Sequence, residues 1–228
     1  MEQQFVHGKN RKLERGKGGL RMVAIDEESK SPFEIEEPKW LDDSQHPFCM
    51  RCKKMFSFTL RRHHCRRCGR VFCSACCKNK ISLPCISYVD PERVCMECLP
   101  VAKDENIFFA KDLKVLIEGA SFVLNDSSVI CECKLHEQSH SKLLFKCLEN
   151  KDTMAQDSVQ LKNITSIENI TETVEGSEKV CGKVLKIKEQ SETELLKLRV
   201  QEGDKVQQKS AEFLHAIQKA MELLFDVQ

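Results

Sequence analysis

Four Cys-x-x-Cys pairs between Cys49 and Cys98, a later series of short alternating segments, and a last stretch with apolar residues at helical spacing predict a chain of two parts. The first is a small finger stabilised by two structural zinc ions and built of short β-hairpins and a helix. The second is an α+β, mainly β barrel closed by a C-terminal helix. The 228 residues are enough for two small units and a tail.

Residues 1–39 mix Lys, Arg, Gly and Glu without a period and read as a mostly disordered segment. They lack the apolar core of a secretory signal. No run of eighteen apolar residues occurs anywhere, so a cytoplasmic address is expected. Ser31-Pro32-Phe33 and Glu37-Pro38 punctuate the approach to Trp40, the single tryptophan.

Residues 40–100 are too poor in aliphatic side chains to build a large core, so a finger of this size needs a staple. Ten of the fourteen cysteines lie here. In a reducing compartment such clustering at short gaps points to metal. Two cysteines three apart on a tight turn face one ion, and two such pairs complete a tetrahedral thiolate shell. Cys49/Cys52, Cys65/Cys68, Cys73/Cys76 and Cys95/Cys98 therefore make two zinc sites. Only four residues separate Cys68 from Cys73, which is short for two knuckles around one ion. Spacing still permits pair one with two or with three. Cys76 fits the repeated gap better than its neighbour Cys77. Cys85, Cys131, Cys133, Cys147 and Cys181 have no matching partners and read as small buried hydrophobes. A shell closed by four thiolates leaves no position for water, so an enzyme is not expected.

Charge is unevenly spread. Residues 49–98 carry eleven Lys/Arg against three Asp/Glu, a local surplus of +8. Residues 99–228 carry seventeen against twenty-two, a deficit of −5. A basic face of this kind implies an anionic partner. The run Arg61-Arg62-His63-His64-Cys65-Arg66-Arg67 concentrates it. Zinc at Cys65 would fix the backbone and make these side chains converge, and guanidinium forks grip phosphate bidentately. Between the first two cysteine pairs, Met55, Phe56, Phe58 and Leu60 lie among Lys53, Lys54 and Arg61. A short apolar loop with basic flanks suits shallow insertion into a bilayer interface. Phe56 is expected inside the finger.

Three motifs now stand in order: Trp40-Leu41-Asp42-Asp43, Arg61-Arg62-His63-His64-Cys65-Arg66 and Arg93-Val94-Cys95. With the eight cysteines they resemble the FYVE-type zinc finger family over about residues 40–98. The resemblance implies interleaved zinc sites, Cys49, Cys52, Cys73 and Cys76 for one and Cys65, Cys68, Cys95 and Cys98 for the other. It also implies phosphatidylinositol 3-phosphate as the ligand. Arg62, His63, His64, Arg66 and Arg93 would hold the two phosphates, Asp43 would accept from inositol hydroxyls, and Arg61 would add phosphate or interfacial charge. Phe58 and Thr59 would form the membrane tip with Leu60 near its base. A carboxylate at Asp43 would also repel additional phosphates and so select an otherwise bare ring. Peripheral association with early endosomes or cytoplasmic vesicles follows from the resemblance, as does an adaptor role tied to endosomal signalling and, further, to cell-adhesion sites.

Residues 101–110 read as a linker or short helix. Beyond them, β-type runs cover 113–124, 129–135, 143–148, 159–167, 180–187 and 195–200, with turns at Asn125-Asp126-Ser127, 149–152 and 175–177. The period then changes. Val206, Phe213, Leu214, Ile217, Ala220, Met221, Leu224 and Phe225 share one helical face over residues 205–226. Strands followed by one plugging helix resemble a pleckstrin-homology-like domain over 111–228. Its first hairpin, residues 117–128, carries two acids and no base, so a protein-interaction module is expected rather than a second lipid site.

Two other readings compete. A RING-like ubiquitin ligase also interleaves two zincs but usually places histidine among the ligands, whereas all eight candidates here are cysteines. A nucleic-acid or histone reader would use the same basic face. Phe58, Asp43 and Arg93 fit a membrane ligand better, and no nucleic acid is expected as partner.

Overall fold

In the computed structural model the described residues are 10–125, 127, 129–147, 158–174, 177–189, 192–201 and 204–226. They form two compact units. One comprises Met1–Lys30 and Glu34–Phe109, the other Ser31–Phe33 and Ala110–Gln228.

The first unit opens with an antiparallel hairpin of β1 (Arg11–Arg15) and β2 (Leu20–Ala24). This corrects the expectation of disorder for residues 10–39. The hairpin has no apolar stripe, and its strands are stapled to the finger through polar groups. Met22 donates its backbone N–H to Ser87 O at 2.8 Å, and Val89 donates to Leu20 O at 2.9 Å. Arg11 pairs with Glu34 at 2.6 Å. The finger follows as two short hairpins, β3 (His63–His64) with β4 (Val71–Phe72) and β5 (Asn79–Ile81) with β6 (Glu92–Val94). Helix α1 (Cys98–Ile107) closes it, so most of the expected linker is helical. Gly69 permits the turn between β3 and β4. Its φ is +73°, and a Cβ there would overlap the Lys39 carbonyl.

The second unit is one large antiparallel sheet. A helix, α2 (Leu113–Glu118), precedes strands β7 (Ala120–Leu124), β8 (Ile130–Leu135), β9 (Lys142–Cys147), β10 (Ser158–Gln160), β11 (Ile164–Val174), β12 (Ser177–Glu189) and β13 (Glu192–Val200). The strand order is β10-β9-β8-β7-β13-β12-β11. Among the described residues β10 and β11 are its two edges, so the structure gives a large sheet where a closed barrel is expected. The run 113–124 is also divided. Leu113 and Leu116 are buried at helical spacing, whereas Ala120, Phe122 and Leu124 alternate inward as strand residues. The expected turn at 149–152, together with Asp126, Glu175 and Gly176, lies outside the described residues.

The break falls at Gly119, with φ 72° and ψ 173°, a region open essentially to glycine alone. A Cβ there would sit 2.7 Å from the Cys133 carbonyl. Gly119→Ala is therefore expected to cost the second unit about 1–3 kcal/mol. Urea denaturation followed by far-ultraviolet circular dichroism measures this, and an unchanged midpoint would show that the strain is relieved elsewhere.

Helix α3 (Asp204–Asp226) packs on β7, β12 and β13. Phe213, Leu214, Ile217, Ala220 and Met221 are buried, with the Phe213 ring 5.4 Å from that of Phe122. Val206 and Phe225, at the ends of the expected face, are exposed. Lys183 on β12 is buried, and burial lowers its pKa. Its ammonium is compensated by donating to Asn169 Oδ1 at 2.7 Å and Gln218 Oε1 at 3.0 Å.

Candidate metal centres and anion-binding face

The hairpins bring the cysteine pairs together in an interleaved order. The Sγ atoms of Cys49, Cys52, Cys73 and Cys76 lie within 4.8 Å of one another, and so do those of Cys65, Cys68, Cys95 and Cys98. A tetrahedral zinc with bonds of about 2.3 Å places its sulfurs about 3.8 Å apart. Cys52 and Cys73 are 3.7 Å apart, which fits. Backbone N–H groups support both cages: Cys73 donates to Cys49 Sγ at 3.3 Å and Cys98 to Cys95 Sγ at 3.4 Å. Such donors favour the thiolate that zinc requires. Cys76 faces the first group. Cys77, also buried, joins neither.

Each cage positions part of the basic run. Arg66 N donates to Arg93 O at 2.8 Å, which sets β3 beside β6. His64 Nε2–H donates to Leu41 O at 2.8 Å, which fixes that tautomer, and the same nitrogen lies 3.6 Å from Asp43 Oδ1. Its ring rests 4.8 Å from that of Trp40. Arg66 covers Trp40 at 5.0 Å, donates to His64 O at 2.8 Å and lies 3.4 Å from Glu92. The imidazole of His63 is pushed below its ordinary value, first by burial and then by the charges of Arg93 and Arg66. Arg93 keeps one nitrogen on Cys77 O at 2.7 Å. Arg62 is exposed, donates to His46 O at 3.3 Å and stacks on Phe56 at 4.9 Å. Thus His63, His64, Arg66 and Arg93 share one face with Asp43 at its edge, and Arg62 flanks it.

One arginine of the run leaves this face. Arg67 makes a bidentate pair with the buried Glu105 of α1, its Nη2 at 2.7 Å and Nε at 3.1 Å. Cys85 adds a thiol that donates to the same carboxylate at 3.3 Å, so it does more than fill space. The carboxylate beside it and its burial push that thiol upward, burial being the larger cause. The partner of Arg67 lies 38 residues away and has no signal in the local sequence. Lys17, Glu37 and Glu92 also border the face, a place that nothing local in the sequence assigns to them.

The loop before the run is arranged by depth. Phe56 is buried, Phe58 is 87% exposed, Thr59 is exposed and Leu60 is half-buried. Arg61 lies 5.7 Å from the Phe58 ring. Met55 and Phe48 add further exposed apolar surface.

Two interleaved four-cysteine cages with a basic hairpin between them define a FYVE-type zinc finger, and residues 39–104 match the FYVE zinc finger family. Such a finger binds two zinc ions. Residues 107–228 match the family described as zinc finger FYVE domain-containing protein 21 C-terminus, and the chain belongs to that family. Among curated relatives, zinc finger FYVE domain-containing protein 9 of Homo sapiens is 52% identical over 63 residues, 27% of this chain and 4% of that protein. Zinc finger FYVE domain-containing protein 16 of Mus musculus is 50% identical over 64 residues, 28% of this chain and 4% of that protein. The match therefore spans a small fraction of those relatives. A crystal structure of the VHS and FYVE tandem domains of Hrs, a protein involved in membrane trafficking and signal transduction, aligns at 38% identity and a TM-score of 0.28, covering 30% of each chain.

Proposed function

We propose that this chain is a membrane-targeting adaptor that binds phosphatidylinositol 3-phosphate through its finger. The observation that carries the reading is the neighbourhood of two features: a face shared by His63, His64, Arg66 and Arg93, and an 87% exposed Phe58 with Arg61 beside it. In this reading Arg62, His63, His64, Arg66 and Arg93 hold phosphate, Asp43 meets inositol hydroxyls, and Arg61 contributes interfacial charge. Phe58 and Thr59 enter the headgroup layer with Leu60 at their base. Each exposed cation over an anionic leaflet adds about 1 kcal/mol. Zinc supplies no chemistry here beyond holding the backbone, so the finger is a binding module rather than a catalyst. Cytoplasmic, endosome-associated placement follows from the ligand. A tie to cell-adhesion sites rests on resemblance alone.

The second unit is read as pleckstrin-homology-like and as the site of protein contact or self-association. In support, the first four strands and the last three form two meanders joined at β7 and β13, with α3 packed on β7, β12 and β13. The turn after β7 contains no Lys or Arg.

Zinc-loaded protein sedimented with vesicles carrying each monophosphorylated phosphatidylinositol tests the reading. Selective capture by the 3-phosphate is expected, with Arg62→Ala weakening it about tenfold or more and Phe58→Ala reducing capture by vesicles. Equal binding to every anionic lipid would leave only a zinc scaffold with a generic basic surface.

A further inference from the structure

The finger's anion-binding face is bordered by a segment outside the cysteine frame. The turn Gly16-Lys17-Gly18-Gly19 of the β1–β2 hairpin brings the Lys17 ammonium to 5.2 Å from the Trp40 ring centroid. Arg66 lies 5.0 Å from the same centroid. Asp42 has a carboxyl held below its usual range, first by the amide and hydroxyl of Ser44 and in smaller part by His46 and Lys17. Lys17 therefore reaches the Trp40-Leu41-Asp42-Asp43 segment as well.

The turn is held there without using the lysine side chain. Glu37 accepts from Gly18 N at 2.7 Å, Lys17 N at 3.2 Å and the Tyr88 hydroxyl at 2.8 Å. Tyr88 is itself buried in the finger core. Arg21 Nε donates to Ile86 O at 2.8 Å, and Arg11 Nη2 donates to Met22 O at 2.6 Å and Ser87 Oγ at 3.1 Å. The glycines are required. A Cβ on Gly18 would overlap the Tyr88 hydroxyl, and one on Gly16 would sit 2.7 Å from Glu37 Oε2. Among the described residues the Lys17 ammonium makes no hydrogen bond or ion pair. It is an exposed cation held over an indole.

We infer that Lys17 is a headgroup-contacting residue, and that the N-terminal hairpin forms an additional wall of the phosphate site, placed by Glu37 and Tyr88. The inference rests on the phosphoinositide reading above and extends it beyond the cysteine-framed motif. Charge argues for it. Two cations on one indole repel each other. Of the nearby carboxylates, Glu92 belongs to Arg66, Glu37 is spent on the turn, and Asp42 accepts from Ser44 N and Oγ at 2.9 Å while drawing only weakly on Lys17. A phosphate entering beside Arg66 gains from Lys17 and relieves the repulsion, so the hairpin attracts the ligand rather than screening it.

The test uses the zinc-loaded full chain and a soluble short-chain phosphatidylinositol 3-phosphate, with binding followed calorimetrically and by emission of the single tryptophan, Trp40. Lys17→Ala is expected to weaken headgroup binding about five- to tenfold, Lys17→Glu further, and Lys17→Arg to restore it. Glu37→Gln and Gly18→Val keep the lysine but loosen the turn, and are expected to lose binding in the same direction. Zinc content and melting temperature of the Lys17 variants should stay at wild-type values, since the side chain is exposed. Wild-type affinity in both Lys17→Ala and Lys17→Glu overturns the inference. So does a loss seen only with phosphatidylserine vesicles and not with the soluble headgroup, which would make Lys17 interfacial charge. Wild-type protein that binds no 3-phosphate refutes the parent reading, and this one with it.

Discussion

Stripping zinc from the protein is expected to unfold the finger while the seven-stranded unit stays folded. The buried cluster of the finger has sixteen residues, and eight are cysteines. Six of those are candidate ligands, so without metal the centre of the unit consists of crowded thiols in place of close-packed aliphatic groups. Structural zinc contributes about 10–16 kcal/mol of apparent binding free energy in small fingers, against a total domain stability of about 5–15 kcal/mol. The metal term alone is as large as the whole stability of a typical domain, so the finger does not survive its loss. Among its described residues the second unit holds no four-cysteine cluster. Its core of Phe122, Leu135, Leu143, Leu161, Leu185, Leu198, Phe213 and Ile217 is aliphatic and aromatic. Chelation should red-shift Trp40 emission and abolish amide protection in β3–β6, with protection in β7–β13 retained. Cys65→Ser and Cys95→Ser should do the same without chelator. A metal-free chain that keeps the Trp40 environment would mean that the two hairpins close on their polar staples alone.

The cages were legible in the sequence because Cys-x-x-Cys spacing is a local property: each pair is one turn. Which pairs share an ion is not local, and spacing left it open until β3 was placed beside β6. The depth order of Phe56, Phe58 and Leu60 was not legible in their spacing, since residues two apart on an extended segment can share one face; the family resemblance alone implied the tip at Phe58. The N-terminal hairpin was hidden for a physical reason. Its strands carry no buried period, because it is held by backbone groups and by Arg11, Arg21 and Glu37 reaching residues up to 76 positions away. Composition reports such a segment as disordered. The run at 113–124 failed for the opposite reason. Its apolar density suits helix or strand equally, and only the backbone at Gly119 decides where one becomes the other.

Among the arginines of the basic run, removing the partner of Arg67 should cost the most stability and the least ligand affinity. Glu105 is 4% exposed and accepts a bidentate guanidinium and a thiol. Pairing with Glu105 raises the guanidinium pKa further, so neutralising Arg67 is no escape. Glu105→Gln leaves a largely buried cation without its countercharge, and breaking such pairs costs about 3–5 kcal/mol. Replacing both residues, as Arg67→Met with Glu105→Leu, should recover most of this, because the pair's own desolvation disappears with it. The pair docks α1, whose first residue, Cys98, belongs to the second cage. Asn106 reinforces the docking by donating to Ser82 O at 2.8 Å. The effect should therefore appear as lower zinc retention and an earlier melt of the finger. At a temperature where the variant is still folded, its affinity for the soluble headgroup should match the wild type, since Arg67 points away from His63, Arg66 and Arg93. A variant that keeps its zinc and melting temperature but loses headgroup binding would return Arg67 to the phosphate site. Stability lost with affinity kept separates Arg67, which fastens the helix that completes the cage, from the arginines proposed to hold phosphate.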